Sequence, residues 1–195
     1  MKSLEEITKF EDLAEELKSQ EYWDKAINGL KERYEFNKYD KETALRLIFI
    51  IWYITREWGC IGYKNTDMYD LYLSRDIRKI YLETKDYFKD DLDYLLIVGY
   101  LMNFTSEYFV DDVSNFSEYS NKYEDLGKMM IKKAFEVNPQ NIVSELIYRE
   151  VSEKDYHQFH KNHEKEIEEG LKKFFENRGR MGDYFWCIFD GSEFA

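Results

Sequence analysis

The stretch LRLIFIIWYI, residues 45–54, decides the fold class of this chain. Only one arginine interrupts ten residues that are otherwise apolar, and polar and apolar positions do not alternate as they do in a half-buried strand. A helix with this pattern is apolar around its whole circumference and belongs at the centre of a packed core. We predict such a helix over 41–58, beginning after Asp40 and ending before Gly59.

Helical periodicity extends outward from this segment in both directions. Apolar residues recur at three- and four-residue steps, and the chain has only one proline and nine glycines. Ser3 and Glu6 form a capping-box pattern that opens an N-terminal helix. Further helices are predicted over 22–36, 67–84, 90–109, 121–137, 139–151 and 153–176. The fold class is therefore all-α, with about eight helices in irregular antiparallel hairpins.

The chain has no linker rich in Ser, Gly or Pro, so we expect a single compact helical domain over 1–195. Within it we distinguish an amphipathic helix at 1–20, a helical-hairpin region at 90–178 and an aromatic tail at 180–195. In the hairpin region, Asn138 should cap a helix that has Pro139 in its first position. The tail is too apolar to stay in solvent and should pack on the body as a short helix or strand.

Charge limits the partners that this chain can have. Forty acidic against 28 basic residues give a net charge of −12, which disfavours nucleic acid and anionic membranes and favours basic proteins. The longest apolar run, 47–54, is too short to span a bilayer, and the N-terminus has no apolar signal segment. Cys60 and Cys187 do not form a CxxC motif, and two such cysteines are compatible with free thiols in a reducing compartment. These features predict a cytoplasmic protein.

Three histidines within seven residues are the best candidate metal ligands. Helical geometry places Glu153, His157, His160 and Glu164 on one narrow stripe. One helix cannot wrap four ligands around an ion, so a site would need another segment, and no segment is indicated. The alternative is that His157 and His160 are boundary residues and His163 is a core or interface residue. Since no nucleotide-binding or hydrolase motif is present either, we expect no catalytic residue, metal or cofactor.

Charge is segregated in one segment of the chain. Residues 90–121 contain no Lys or Arg, although basic and acidic residues are well mixed elsewhere. Carboxylates beside aromatic side chains are typical of a surface that receives Lys and Arg from a protein partner. The alternative is an ordinary solvated rim over a core. The candidate partner-binding residues are Asp90, Asp91, Asp93, Glu107, Tyr108, Asp111, Asp112, Glu118 and Tyr119.

Three sequence blocks carry a family resemblance. They are LLIVGYLMNFTSEYFVDD at 95–112, LGKMMIKKAFEVNPQN at 126–141 and GRMGDYFWCIF at 179–189. With these blocks the chain resembles bacterial immunity proteins of contact-dependent growth inhibition and polymorphic toxin systems. Gly127, Ala134 and Pro139 also have the spacing of the second helix of a tetratricopeptide-like unit. The residues typical of a first repeat helix are missing, which favours irregular hairpins over a regular solenoid.

The resemblance implies a cytoplasmic protein that binds a cognate toxin C-terminal domain, usually a nuclease, and blocks its active or substrate-binding site. A nuclease presents Lys and Arg to phosphates, and an acidic surface can occupy the same groups. The alternative function is a tetratricopeptide-like scaffold or chaperone module that binds a peptide or protein. A third hypothesis, a metal-dependent helical enzyme, would depend on His157 and His160.

Overall fold

A computed structural model describes residues 1–57, 59–64, 67–110 and 116–189, with 67–74 and 116–119 described as backbone only. In these ranges the chain is helical and contains no strand, which confirms the all-α prediction. Ten α-helices are present where we predicted about eight. Within the described residues, no helix combines the length and the apolar character needed to cross a bilayer.

The chain divides into two compact units. Unit 1 comprises Met1–Phe88 and Tyr108–Val113, and unit 2 comprises Lys89–Glu107 and Ser114–Ala195. The single domain over 1–195 therefore stays a prediction, and the units are described separately below. The helices of unit 1 are α1 (Leu4–Leu17), α2 (Gln20–Phe36), α3 (Lys41–Glu57) and α4 (Asp67–Thr84).

Helix α3 is the centre of unit 1, as the sequence predicts. Every residue from 43 to 55 is buried, and α2 and α4 both pack against this helix. Arg46 lies within the apolar stretch and is only 2% exposed. Its guanidinium donates to Glu11 Oε1 at 2.7 Å and to Thr8 Oγ1 at 3.0 Å, so a buried ion pair joins α3 to α1.

The N-terminal helix has the predicted capping box. The Ser3 hydroxyl accepts from the Glu6 amide at 3.1 Å, and the Glu6 carboxylate accepts from the Ser3 amide at 2.7 Å. Ile7 and Ala14 are fully buried on the apolar face of this helix. Leu17, three residues after Ala14, is 56% exposed, because the helix ends there and Lys18 takes a left-handed conformation.

Unit 2 contains the remaining six α-helices and the first half of a short 3-10 helix. Helix α7 is central, since α5, α6, α8 and α9 all pack against it, and α10 packs against α9. The elements are α5 (Leu92–Phe104), the 3-10 helix (Ser106–Phe109), α6 (Phe116–Val137), α7 (Ile142–Val151), α8 (Tyr156–Asn162), α9 (Glu164–Phe175) and α10 (Arg180–Phe189). The boundary between the two units falls within the 3-10 helix, between Glu107 and Tyr108.

All four predicted helices in the hairpin region have different limits in the structure. The helix predicted over 121–137 begins earlier, at Phe116. The helix predicted over 90–109 stops at Phe104, where the Thr105 amide and hydroxyl both donate to the Leu101 carbonyl. The helix predicted over 139–151 begins at Ile142. Its cap is Asn141, whose side chain accepts from the amides of Val143 and Ser144, so the predicted roles of Asn138 and Pro139 were wrong.

The helix predicted over 153–176 is two helices that meet at His163. Its expected first turn is also absent, because Glu153 and Asp155 both have left-handed backbone conformations. The tail prediction is confirmed as far as residue 189: α10 buries Phe185 and Phe189 to 1% and 0% exposure.

Candidate functional site

The first three carboxylates of the predicted binding segment lie at the start of α5 and have interactions inside unit 2. Asp90 Oδ1 accepts from Lys133 Nζ at 2.5 Å, and this bond holds the pKa of the Asp90 carboxyl below its usual value. Asp91 caps α5 by accepting from the Tyr94 amide at 3.1 Å. Asp93 forms an ion pair with Arg178. These three residues therefore stabilise the helical packing of unit 2, whatever else they bind.

The structure describes the side chains of only two of the other six candidate residues. Glu107 and Tyr108 are half-buried in the 3-10 helix, where the boundary between the two units falls between them. Asp111 and Asp112 lie outside the described residues. Glu118 and Tyr119 belong to the first turn of α6, but the structure does not describe their side chains. A common binding surface for these residues stays a prediction.

The three histidines do not converge. His160 Nε2 lies 3.0 Å from the Phe189 carbonyl oxygen, and His163 Nδ1 lies 3.0 Å from the Phe159 carbonyl oxygen. His157 is exposed. In the part of the chain that the structure describes, no group of three His, Cys, Asp or Glu side chains is arranged to hold a metal ion. His160 and His163 thus have structural contacts of the kind expected for boundary and core histidines.

A concave site that the sequence analysis missed lies where α7 leads into α8. It is an open cavity of about 690 Å³, lined by Glu150, Glu153, Asp155, Tyr156, His157 and Gln158. Within the described residues, no hydrogen-bond donor reaches the buried Oε2 atom of Glu150. Burial raises the pKa of the Glu150 carboxyl to about 7. This carboxyl therefore changes charge near neutral pH, which few carboxyls do.

The basic residues nearest to Glu150 in the sequence are engaged elsewhere. Arg149 donates to Glu145 through Nε at 2.9 Å and through Nη2 at 2.7 Å. Its guanidinium also lies 4.5 Å from the centre of the Phe159 ring. The Lys154 ammonium lies 5.5 Å from the centre of the Tyr148 ring. Among the described residues, the cavity lining has three carboxylates and neither Lys nor Arg.

The Glu150 carboxyl lies close enough to the Tyr100 phenol of α5 for its charge to affect the pKa of that phenol. Burial raises the pKa of the Tyr100 phenol above its usual value, and the charges of Glu150, Tyr184 and Tyr156 add to the effect. Tyr100 is 5% exposed and packs edge-on against Phe185, with the ring centres 5.5 Å apart. Glu150 is therefore near the buried Tyr100 and lines the cavity together with Glu153 and Asp155.

The sequence does contain a signal for this site. Val143, Ile147 and Glu150 follow the i, i+4, i+7 spacing of one helix face, and Val143 and Ile147 are buried. An acidic residue in a core stripe is unexpected and marks a candidate site. The concavity could not be predicted, because it depends on the left-handed turn at Glu153 and Asp155.

The comparisons with known proteins give no relative. No family model matches the chain, and no curated protein or solved structure shows significant similarity to it.

Proposed function

We propose that this chain is an immunity protein: it binds a basic toxin domain, most plausibly a nuclease, and covers the active or substrate-binding site of that domain with an acidic, aromatic surface. The partner is the cognate toxin C-terminal domain, and inhibition is stoichiometric. Neither catalysis nor a cofactor is part of the proposed activity.

The observation that carries this proposal is the charge segregation of residues 90–121. The segment contains seven carboxylates and no Lys or Arg. Lys133 and Arg178, which lie outside the segment, pair with Asp90 and Asp93. We expect the acidic segment to pair with the Lys and Arg that a nuclease uses to hold phosphates.

The contacts inside unit 2 change how much each candidate residue is expected to contribute to binding the partner. Since Asp90, Asp91 and Asp93 stabilise helix packing, their substitution would alter folding as well as binding. The proposal therefore depends mainly on the second half of the segment, in which Tyr108 and Tyr119 are the aromatic anchors. The acidic residues of this half are Glu107, Asp111, Asp112 and Glu118.

Charge reversal at Asp111 and Asp112 tests the proposal. The double variant Asp111→Lys/Asp112→Lys should bind the domain encoded immediately upstream at least about tenfold more weakly, with a smaller dependence on salt. The matched control, Asp12→Lys/Glu16→Lys, makes the same charge change at exposed positions of α1 and should bind like the wild type. If both double variants lose the same affinity, the effect comes from net charge and not from residues 111 and 112. If neither variant loses affinity, residues 111 and 112 are not part of the interface.

A helical scaffold that binds a peptide is the second candidate function. A concavity of about 520 Å³ on α6 is lined by Asn121, Lys122, Asp125, Leu126 and Met129. Met129 is 66% exposed there, as an apolar contact for a peptide would be. The two functions differ in the ligand: a scaffold binds a short unfolded segment with about micromolar affinity, whereas an immunity protein requires the folded toxin domain.

A further inference from the structure

The Glu150 cavity needs an explanation that protein stability does not provide. A buried carboxyl without a hydrogen bond or a counter-charge costs free energy, and proteins usually supply one or the other. Within the described residues, Glu150 Oε2 has no hydrogen-bond partner. The same unit does satisfy a comparable carboxyl, since Asp93 is paired with Arg178. In the part of the chain that the structure describes, Glu150 is thus a carboxyl available to a partner from outside.

The surroundings of Glu150 specify the charge of that partner. Glu153 and Asp155 add two carboxylates to the rim, and the side chain of Arg149 is occupied by Glu145 and Phe159. Lys154 lies over Tyr148 and does not line the cavity. A cation entering the cavity would meet three carboxylates, and no Lys or Arg is among the described residues that line it.

The size and lining of the cavity indicate an organic cation. A volume of about 690 Å³ is larger than one ion requires, and no group of three described His, Cys, Asp or Glu side chains is arranged to hold a metal. The lining includes a tyrosine ring, an imidazole and an amide, which suit the flat face and the N–H donors of a guanidinium or the stem of a lysine.

We propose that the Glu150 cavity is a binding site for one ammonium or guanidinium group, namely the Lys or Arg side chain of a bound protein. The site itself stands on the cavity and its charges; only the origin of the cation in a protein partner rests on the proposed function. The cation pairs with the Glu150 carboxylate, and Glu153, Asp155 and Tyr156 surround it.

Binding at this site should depend on pH. With a pKa of about 7, the Glu150 carboxyl is largely protonated at pH 6 and largely ionised at pH 8, so affinity should rise about tenfold over that range. The titratable groups that line the cavity with Glu150 are Glu153 and Asp155 from the turn and Tyr156 and His157 from α8, and Tyr100 from α5 lies close enough for the charge of Glu150 to affect its pKa. The same measurement in the His157→Asn variant separates the contribution of Glu150 from that of the imidazole in the cavity lining.

The probe for the test is arginine capped as its N-acetyl and methylamide derivative, with capped citrulline as the uncharged isostere. Heteronuclear NMR should show saturable, millimolar binding of capped arginine to the wild type, with shifts centred on residues 150–158, and no saturable binding of citrulline. Glu150→Gln should abolish the binding. Glu169→Gln, which removes an exposed carboxylate of α9, should leave it unchanged.

A second variant keeps the test informative if Glu150→Gln misfolds. Gln158→Lys places an ammonium of the chain itself at the cavity and should also abolish arginine binding. If capped arginine binds more tightly than free arginine, the cation is assigned to a protein side chain. If free arginine binds more tightly, that assignment is overturned and the ligand is a free small molecule. Equal binding of citrulline, or full binding to Glu150→Gln, would overturn the site. If capped arginine binds but the upstream-encoded domain does not, the proposed function fails while the site stands.

Discussion

Glu150 makes the stability of the protein depend on pH in an unusual direction. Its pKa is raised from 4.5 to about 7, so the folded state holds a proton that the unfolded state has already lost at intermediate pH. The folded state is therefore favoured most below pH 4.5 by this group, and the contribution is lost as the pH rises to about 7.

We predict that Glu150→Gln removes this dependence. An amide of the same shape has no charge to bury, so the variant should gain stability over the wild type at pH 8, by up to about 3 kcal/mol, and show a smaller difference at pH 5. Urea unfolding at both pH values measures the effect. If the free energy of unfolding depends on pH in the same way in the wild type and the variant, the Glu150 carboxyl is hydrated and has the usual pKa of a glutamate.

The buried ion pair of Glu11 and Arg46 predicts that a single conservative substitution greatly lowers the stability of the protein. Both side chains are 2% exposed, so Glu11→Gln leaves a buried guanidinium without its counter-charge and should cost about 3–5 kcal/mol. Glu16→Gln, at an exposed position of the same helix, should change stability by less than about 0.5 kcal/mol. Thermal unfolding compares the two variants, and similar values for both would mean that α1 is not fixed by this pair.

Helices α5 and α6 approach each other closely at two glycines. A Cβ atom added to Gly127 would lie 2.6 Å from the Gly99 carbonyl oxygen and 2.6 Å from the Asn103 amide nitrogen, both of which are backbone atoms. Backbone cannot yield as a flexible side chain does, so the helices would have to move apart. The interface of α5 and α6 therefore requires glycine at position 127.

Gly127→Ala should accordingly destabilise unit 2 by about 1–3 kcal/mol, despite the better helix propensity of alanine. Gly59→Ala is the control, because a Cβ atom there meets nothing within 4 Å. Urea unfolding followed by circular dichroism distinguishes the two. A Gly127→Ala variant as stable as the wild type would show that α6 can shift without cost.

Sequence patterns predicted the helices better than their interruptions. The bounds of α3 and the capping box of α1 follow from local signals, namely an apolar run and a Ser-x-x-Glu motif. The helix breaks at Thr105 and His163 do not follow from local signals. At each break, the side chain hydrogen-bonds to a backbone carbonyl of the preceding turn. Similarly, Asn141 rather than Asn138 caps α7, a choice between two asparagines that only packing decides.

The candidate site was predicted only in part. The sequence correctly indicates where acids are concentrated, but a pattern of charges cannot show which of them have intramolecular partners. Lys133 lies 43 residues from Asp90, and Arg178 lies 85 residues from Asp93. Such long-range ion pairs depend on the tertiary fold, as does the cavity that contains Glu150.

At the scale of the whole molecule, a net charge of −12 should make association fast and sensitive to salt. The most direct test is titration of the protein with the domain encoded immediately upstream, at low and at high salt. The account predicts one-to-one binding that is nanomolar or tighter and weakens as salt increases, together with rescue of cells that express the domain. Binding that is absent, or that is tight but independent of salt, would contradict the account.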